Sequence, residues 1–307
     1  MPEWLIERGI GETRAILIDG GAIVEARVML NGQIAAGSIL MAKLKTVGTN
    51  AIALADGIEF LLPKGAPGVT QGAALTIEVT REAIGIEAWK RPLARVSDAS
   101  ATIFAFAGRS LAATDNAFDD AGWPDLIEEA RSGIVSFAGG ELRVAVTPAM
   151  TLIDVDGALP PSELAMAGAT ASAKAIRRHG IGGSIGIDLP TDGGKAARQA
   201  AAEAIDLALP QPFERTAVNG FGFVQIVRPR RHASLFELAL NRPAFEARAL
   251  LRSAARQMGK IELIAHPAVL AAMLPDWTDQ LARQVGGAVA LRSEPSLGIA
   301  GGHAVRR

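Results

Sequence analysis

Three aspartates stand at the ends of two predicted strands in the middle of the chain. One strand runs into Asp154 and Asp156 in the segment TLIDVDG (151–157), and the other runs into Asp188 in GGSIGID (182–188). A helix-sized stretch separates the two. A strand–helix–strand unit brings both strand ends to one edge of a parallel sheet, where open α/β sheets usually build their sites. We therefore expect the three carboxylates to converge on one cation.

The expected cation is Mg²⁺, with Mn²⁺ as the alternative, because the available ligands are oxygens. The chain contains no cysteine, which excludes disulfides, thiolate zinc sites and a cysteine nucleophile. Its four histidines show no metal-ligand spacing. A bound Mg²⁺ can orient a water and neutralise charge on a phosphoryl oxygen. The ordinary alternative stays open, because aspartates also commonly cap the loops that follow buried strands.

Basic and aromatic side chains elsewhere are of the types that hold nucleic-acid phosphates and stack on unpaired bases. A basic run, RPRRH, follows a predicted strand, and two cations share one face of a predicted helix. The candidates are Arg228 and Arg230, Lys195 and Arg198, and Lys90 and Phe60, with Trp89 beside Lys90. Each also has an ordinary interpretation as a solvated strand end, a solvated helix face or core packing.

The composition is that of an ordinary globular protein. The 307 residues are 49% hydrophobic and 21% charged, with a net charge of −1, so nucleic-acid binding would depend on local basic patches. The first residues include acids and no long apolar run, so we expect no signal peptide. No segment reaches the roughly 18 apolar residues of a membrane span. We expect a soluble cytoplasmic protein without a membrane partner.

The pattern along the chain predicts a mixed α/β and β fold. Short β-like runs punctuated by Gly and Pro fill residues 13–80 and suggest a small barrel or sandwich after an opening hairpin. Weak periodicity over 97–122 is typical of a linker. From Trp123 onwards helices and strands alternate, and Ser162, after two prolines, is the expected N-cap of the helix between the aspartate strands.

Two of these segments resemble the ribonuclease E/G family. The stretch GELRVAVTPAMTLIDVDG (140–157) resembles the family segment that supplies its first metal-binding aspartate, matched here by Asp154. Asp156 stands where the family usually has asparagine. The stretch 182–188 resembles the segment of the second metal ligand, matched by Asp188. These two matching contexts, in the right order and spacing, carry the resemblance.

Further matches are looser. The stretch NGFGFVQIVR resembles the family's S-x-(F/L)-G-L segment, and Arg228 and Arg230 match its basic residues. Lys90 matches a lysine in the strand that ends the family's barrel. Leu61 replaces the family's stacking phenylalanine, so that Phe60 is only a neighbour of that position.

The resemblance implies a domain layout, and the chain departs from the family in two respects. The implied layout is N-terminal strands in 1–36, an OB-fold-like RNA-binding barrel in 37–96, a linker in 97–122, a metal-dependent α/β nuclease domain in 123–240 and a small α/β domain in 241–307. The linker is too short for the family's 5′-end sensor. The family's zinc-binding cysteines are absent, so any homo-oligomer is expected to form without zinc.

The function that the resemblance implies is Mg²⁺-dependent endonucleolytic cleavage of single-stranded RNA in RNA processing or decay. Asp154 and Asp188 would hold the metal, and Asp156 would assist. The RNA would be held by Arg228, Arg230, Lys195, Arg198, Lys90 and Phe60. The alternative is a non-catalytic RNA-binding protein that kept the fold, and a metal-dependent nuclease for DNA also stays open.

Overall fold

A computed structural model describes residues 2–85, 90–190 and 194–307. The chain divides into two compact units, each assembled from separate segments. The first unit contains residues 1–31, 107–131 and 237–307, and the second contains residues 32–106 and 132–236. None of the helices in the described ranges combines the length and the apolarity that crossing a membrane requires.

Eighteen strands and eight helices are assigned in the described residues. The strands are β1 (Glu3–Arg8), β2 (Glu12–Asp19), β3 (Ala22–Leu30), β4 (Ile39–Leu44), β5 (Ala51–Ala55), β6 (Ile58–Leu62), β7 (Ala74–Arg81), β8 (Leu93–Val96), β9 (Arg109–Leu111), β10 (Ile134–Phe137), β11 (Gly140–Val146), β12 (Thr151–Gly157), β13 (Gly183–Asp188), β14 (Glu214–Arg215), β15 (Phe223–Arg228), β16 (Ile261–Ala265), β17 (Val289–Ser293) and β18 (His303–Arg306). The helices are α1 (Ala117–Asp120), α2 (Trp123–Ser132), α3 (Pro161–Arg178), α4 (Lys195–Ala208), α5 (Leu235–Leu240), α6 (Arg242–Ala254), α7 (Pro267–Ala271) and α8 (Pro275–Val285).

The first unit contains two sheets. One has the order β3-β2-β1-β9, and the other has the order β17-β16-β18. The expected opening hairpin is confirmed, because β2 and β3 pair antiparallel around a turn in which Gly20 and Gly21 have φ of 58° and 83°, values that favour glycine. The apolar faces of α6 and α8 pack with the fully buried strand β16 into one core.

The second unit begins with a closed five-stranded barrel, in the order β4-β5-β6-β8-β7. Alternating side chains of its strands fill the interior, and Phe60 at 0% exposure is the largest of them. The tight β5–β6 turn places Asp56 and Gly57 at positive φ. The mixed α/β class with a barrel in this part of the chain is therefore confirmed.

The rest of the second unit is built on a six-stranded sheet with the order β10-β11-β12-β13-β15-β14. β12 and β13 are parallel neighbours joined by α3, and the other pairs are antiparallel. Helices α3 and α4 cover one face, where Ile153, Ile187 and Val224 are buried. We call the opposite face the open face; Asp154 and Asp188 are exposed there.

Two local expectations are corrected. The helix between the aspartate strands begins at Pro161, and its N-cap is Pro160 rather than Ser162. Proline suits the first helical position, because its missing N–H would have no partner in any case. The stretch 97–122 is not a plain linker, since it contains β9 and α1 and bridges back to the barrel through Thr102 and Ile39.

Candidate functional site

Asp154 and Asp188 are direct neighbours on the open face. They are register partners in the parallel pair β12–β13, and neighbouring strands lie about 4.8 Å apart. Alternation with the buried Ile153 and Ile187 directs both carboxylates away from the helices, and both are exposed. Asp188 is the last residue of β13, whereas β12 continues for three residues after Asp154. The expected juxtaposition is present, but it lies on the face of the sheet and not only at its edge.

Arg143 on β11 extends this row of charges, because it is the register partner of Asp154. Its Nε donates to Oε1 of Glu141 at 2.9 Å, and its Nη2 lies 3.4 Å from Oδ2 of Asp156. The hydrogen bond to Glu141, followed by the charges of Glu141 and Asp156, raises the pKa of the Arg143 guanidinium. A permanent cation therefore stands beside the carboxylate pair.

Asp156 belongs to this ion pair and not to a three-carboxylate cluster. Its Oδ1 accepts the N–H of Gly157 at 2.9 Å, and its Oδ2 faces Arg143. Within the ranges 2–85, 90–190 and 194–307, no group of three or more His, Cys, Asp or Glu side chains is placed to hold a metal. The expectation that Asp154, Asp156 and Asp188 converge on one cation is therefore corrected for the described residues: Asp154 and Asp188 are register partners, and Asp156 lies two residues further along β12.

The pair Asp154 and Asp188 fits Mg²⁺ or Mn²⁺ by its chemistry. Mg²⁺ retains several waters and is commonly bound by one or two carboxylates, so two exposed carboxylates on adjacent strands meet its minimum need. In the part of the chain that the structure describes, the side chain of Asp188 has no hydrogen-bond or ion-pair partner, and the residue is held by its backbone in the sheet. Two neighbouring like charges repel unless a cation lies between them.

On the side of Asp188 away from Asp154, an apolar surface adjoins the carboxylates. Phe223 is the register partner of Asp188, and its ring, with Leu152, covers Gly186. A Cβ at Gly186 would lie 2.5 Å from Cζ of Phe223 and 3.0 Å from Cδ2 of Leu152, so only glycine allows this close cover. The row across the open face thus runs from Arg143 through the two aspartates to an aromatic ring.

A second aromatic ring lies at the end of the sheet where β13 finishes. Oδ1 of Asn219 accepts the N–H groups of Phe221 and Phe223 at 2.8 and 3.1 Å, which fixes the turn before β15. The N–H of Leu189, directly after β13, donates to the carbonyl of Gly222 at 3.2 Å. Phe221 is 81% exposed at this turn, and an exposed ring can stack on an unpaired base.

The structure does not bring Arg228 and Arg230 to the carboxylates. Arg228 pairs with Gly183, five residues before Asp188 on β13, which is a separation of roughly 16 Å along the strand. Arg228 follows the alternation of the buried residues of β15, so it lies on the helix-covered face, and its Nη1 donates to the carbonyl of Ile181. Arg230 passes over Gly182, where a Cβ would lie 2.8 Å from its Cα. These arginines therefore do not lie beside the Asp188 carboxylate.

Lys195 and Arg198 lie on the first turn of α4, which follows β13 along the chain. In a β–α connection the helix begins near the end of the preceding strand, so this turn lies at the same end of the sheet as Asp188. Lys195 is exposed and Arg198 is half-buried. These two residues share the end of the sheet with Asp188, but α4 covers the face opposite to the one that carries the two carboxylates.

The barrel residues do not form the expected base-stacking surface. Phe60 is fully buried in the barrel core, so its ring cannot stack on a base, and this expectation is corrected. Lys90 is half-buried outside the barrel strands, and Trp89 lies outside the described residues. One exposed cluster of charges on the barrel is paired: Glu59 binds Lys45 and Arg91, and their hydrogen bonds lower the pKa of Glu59.

Comparison with protein-family models and with curated proteins gives no match to this chain.

The sequence reasoning missed Arg143, Glu141 and Phe223. A signal for Arg143 was present, because β11 alternates between buried Leu142 and exposed Arg143 and directly precedes the strand of Asp154. The pairing register of β11 with β12, which no local pattern specifies, was needed to place it.

Proposed function

We propose that the chain is a Mg²⁺-dependent phosphodiesterase that cleaves single-stranded RNA internally. The observation that carries the proposal is the register pairing of the exposed carboxylates of Asp154 and Asp188 on adjacent parallel strands. The choice of RNA rests on the resemblance of the two segments that contain these aspartates to the ribonuclease E/G family.

Asp154 and Asp188 would be the ligands of the metal. A bound Mg²⁺ would supply a polarised water and neutralise charge on a phosphoryl oxygen. The carboxylates fix the cation on the face of the sheet rather than on a mobile loop, which preserves the geometry of attack. Their exposure leaves room for a polynucleotide to approach.

Arg143 and Phe221 have complementary roles in holding the substrate. The guanidinium of Arg143 is 56% exposed beside the carboxylates, so it can bind a non-bridging phosphate oxygen without leaving its neighbours. Phe221 offers a ring for a base next to that phosphate. A ring face is accessible to an unpaired base but not to one stacked in a duplex, which favours a single-stranded substrate.

The test is cleavage of an end-labelled 20-nucleotide RNA in Mg²⁺ by the full chain and by the Asp188→Asn variant. We expect end-labelled fragments shorter than the substrate, from cuts that leave a 5′-phosphate and a 3′-hydroxyl. EDTA should inhibit cleavage completely, and the variant should lose at least about 10²-fold in rate. Asp98→Asn, which makes the same change at an exposed position in the barrel unit, is the control and should cut at the wild-type rate.

Cleavage that persists in EDTA, or that Asp188→Asn retains, would contradict the proposal. RNA binding without cleavage by the wild-type chain would favour the non-catalytic alternative instead. A DNA oligonucleotide of the same sequence distinguishes the remaining alternative, because faster cleavage of DNA would overturn the assignment of RNA.

A further inference from the structure

A cavity of about 250 Å³ in the first unit is lined by an unusual number of arginines. Four of them, Arg14, Arg131, Arg252 and Arg256, contribute to its wall together with only two acids, Glu12 and Asp119. No residue of the carboxylate pair belongs to this unit. The cavity is therefore a separate feature that the proposed cleavage reaction does not use.

Three of these arginines, Arg14, Arg252 and Arg256, belong to a ladder of alternating charges that begins and ends with a cation. In order, its members are Arg248, Glu12, Arg14, Glu7, Arg252, Asp119 and Arg256. Nε of Arg248 and Nε of Arg14 lie 2.7 and 2.6 Å from the two oxygens of Glu12. Arg252 bridges Glu7 at 3.0 Å and Asp119 at 2.9 Å. Four cations against three anions leave the ladder with one excess positive charge.

The excess charge lies in a poorly solvated place. The side chains of Arg14 and Arg252 are 1% and 12% exposed. Nη2 of Arg14 and Nε of Arg256 are buried without a hydrogen-bond partner among the described residues. An unsatisfied buried donor is unfavourable, more so when it is charged. Arg131 does not add to the excess, because Glu246 neutralises it and binds it through both oxygens, at 2.9 and 2.7 Å.

We propose that this cavity binds a small organic monoanion, a carboxylate carried on an apolar body. One negative charge would complete the ladder, and the guanidinium fork matches a carboxylate. Apart from Ser253, the remaining wall is apolar and includes Trp123, Ile127 and Phe245. The volume is slightly below the roughly 300–1,000 Å³ of sites for drug-sized ligands, which limits the ligand to a small molecule. A purely structural ion-pair ladder would have no such ligand, so binding separates the two interpretations.

The experiment is calorimetric titration of benzoate into the full chain, with chloride added to keep the ionic strength constant. We expect saturable binding with one site per chain. Arg256→Gln makes the ladder neutral and should weaken binding by at least about tenfold. The control is Arg283→Gln, which removes an exposed arginine of α8 outside the cavity and should bind benzoate as the wild type does.

A second variant keeps the test decisive if Arg256→Gln fails to fold, which far-UV circular dichroism would reveal. Ala249→Leu keeps every charge and fills the cavity from its half-buried wall position, so it should also abolish binding. Absence of benzoate binding to the wild type, or binding by Arg256→Gln and Ala249→Leu as tight as that of the wild type, would overturn the proposal. Tighter binding of inorganic phosphate than of benzoate would overturn the assignment of a carboxylate with an apolar body.

Discussion

At the scale of single residues, the open face of the six-stranded sheet shows how strand register creates chemistry. Asp154 and Asp188 are separated by 33 intervening residues in sequence, yet parallel pairing makes them neighbours. Arg143 lies beside Asp154 because its strand, β11, pairs antiparallel with β12. A cation therefore flanks the carboxylate pair on one side and an aromatic ring flanks it on the other.

The charge of Arg143 should have a measurable effect on the affinity of the proposed site for a metal ion. Arg143→Gln removes a cation beside the carboxylates, so we expect Mn²⁺ to bind about twofold to fivefold more tightly at low salt. The gain should shrink as salt rises, because the guanidinium is 56% exposed and its field is screened. Mn²⁺ titration followed by electron paramagnetic resonance gives the affinity. Arg95→Gln in the barrel is the control, and weaker Mn²⁺ binding in Arg143→Gln would contradict the placement of this cation.

Sequence reasoning succeeded for Asp154 and Asp188 because their positions follow from local pattern and from the geometry of parallel sheets. It failed for Arg228 because the pairing register of β15 with β13 determines at which end and on which face of the sheet the Arg228 side chain lies. It failed for Phe60 because strand alternation alone does not show which side of a barrel strand faces inward.

At the scale of elements, α3 packs closely against the sheet at Gly168. A Cβ there would lie 3.1 and 3.2 Å from Cγ2 and Cβ of Val155 and closer still to Cγ1. Val155 is β-branched, stiff and held in β12, so it cannot move aside easily. Gly168 therefore sets the distance between the helix and the strand that contains Asp154.

Gly168→Ala should destabilise the protein although alanine favours helices. We expect the free energy of unfolding to fall by about 1–3 kcal/mol, because the overpacking outweighs the gain in helix propensity. Urea unfolding measures it. Gly220→Ala, where a Cβ would meet no atom within 4 Å, serves as the matched control. A variant as stable as the wild type would show that α3 and β12 are not in close contact.

The link between α4 and β14 should depend on pH. The hydrogen bond from Arg215, 2.7 Å from its Nε to Oδ1, lowers the pKa of Asp206 from its usual 3.8. The stabilisation is therefore present above the unfolded-state pKa and is lost as the pH falls through the lower folded-state value.

Asp206→Asn should lower the free energy of unfolding by about 0.5 kcal/mol at pH 7, a small effect because the carboxylate is 48% exposed. The difference from the wild type should shrink as the pH falls below the unfolded-state pKa of 3.8. Chemical unfolding at pH 7 and at a series of lower pH values measures it, with Asp98→Asn as the control. A difference that grows as the pH falls would contradict the sign of the pKa shift.

At the scale of the whole molecule, local patterns predicted what is contiguous in sequence. The hairpin, the barrel and the strand–helix–strand unit each close within a few dozen residues. The assembly of residues 1–31, 107–131 and 237–307 into one unit could not be predicted in this way. It depends on pairings such as β1 with the three-residue strand β9 and on ion pairs such as Arg248 with Glu12, which leave no local periodicity.

The most direct test of the central claim is Mn²⁺ binding, by electron paramagnetic resonance, to the wild type and to single Asp→Asn variants at positions 154, 156 and 188. We expect one Mn²⁺ site, whose affinity Asp154→Asn and Asp188→Asn each reduce by at least about tenfold. Asp156→Asn should stay within about threefold of the wild type, since Asp156 is paired with Arg143. Unchanged binding in Asp154→Asn or Asp188→Asn, or a loss confined to Asp156→Asn, would contradict the assignment of the carboxylate pair as the metal site.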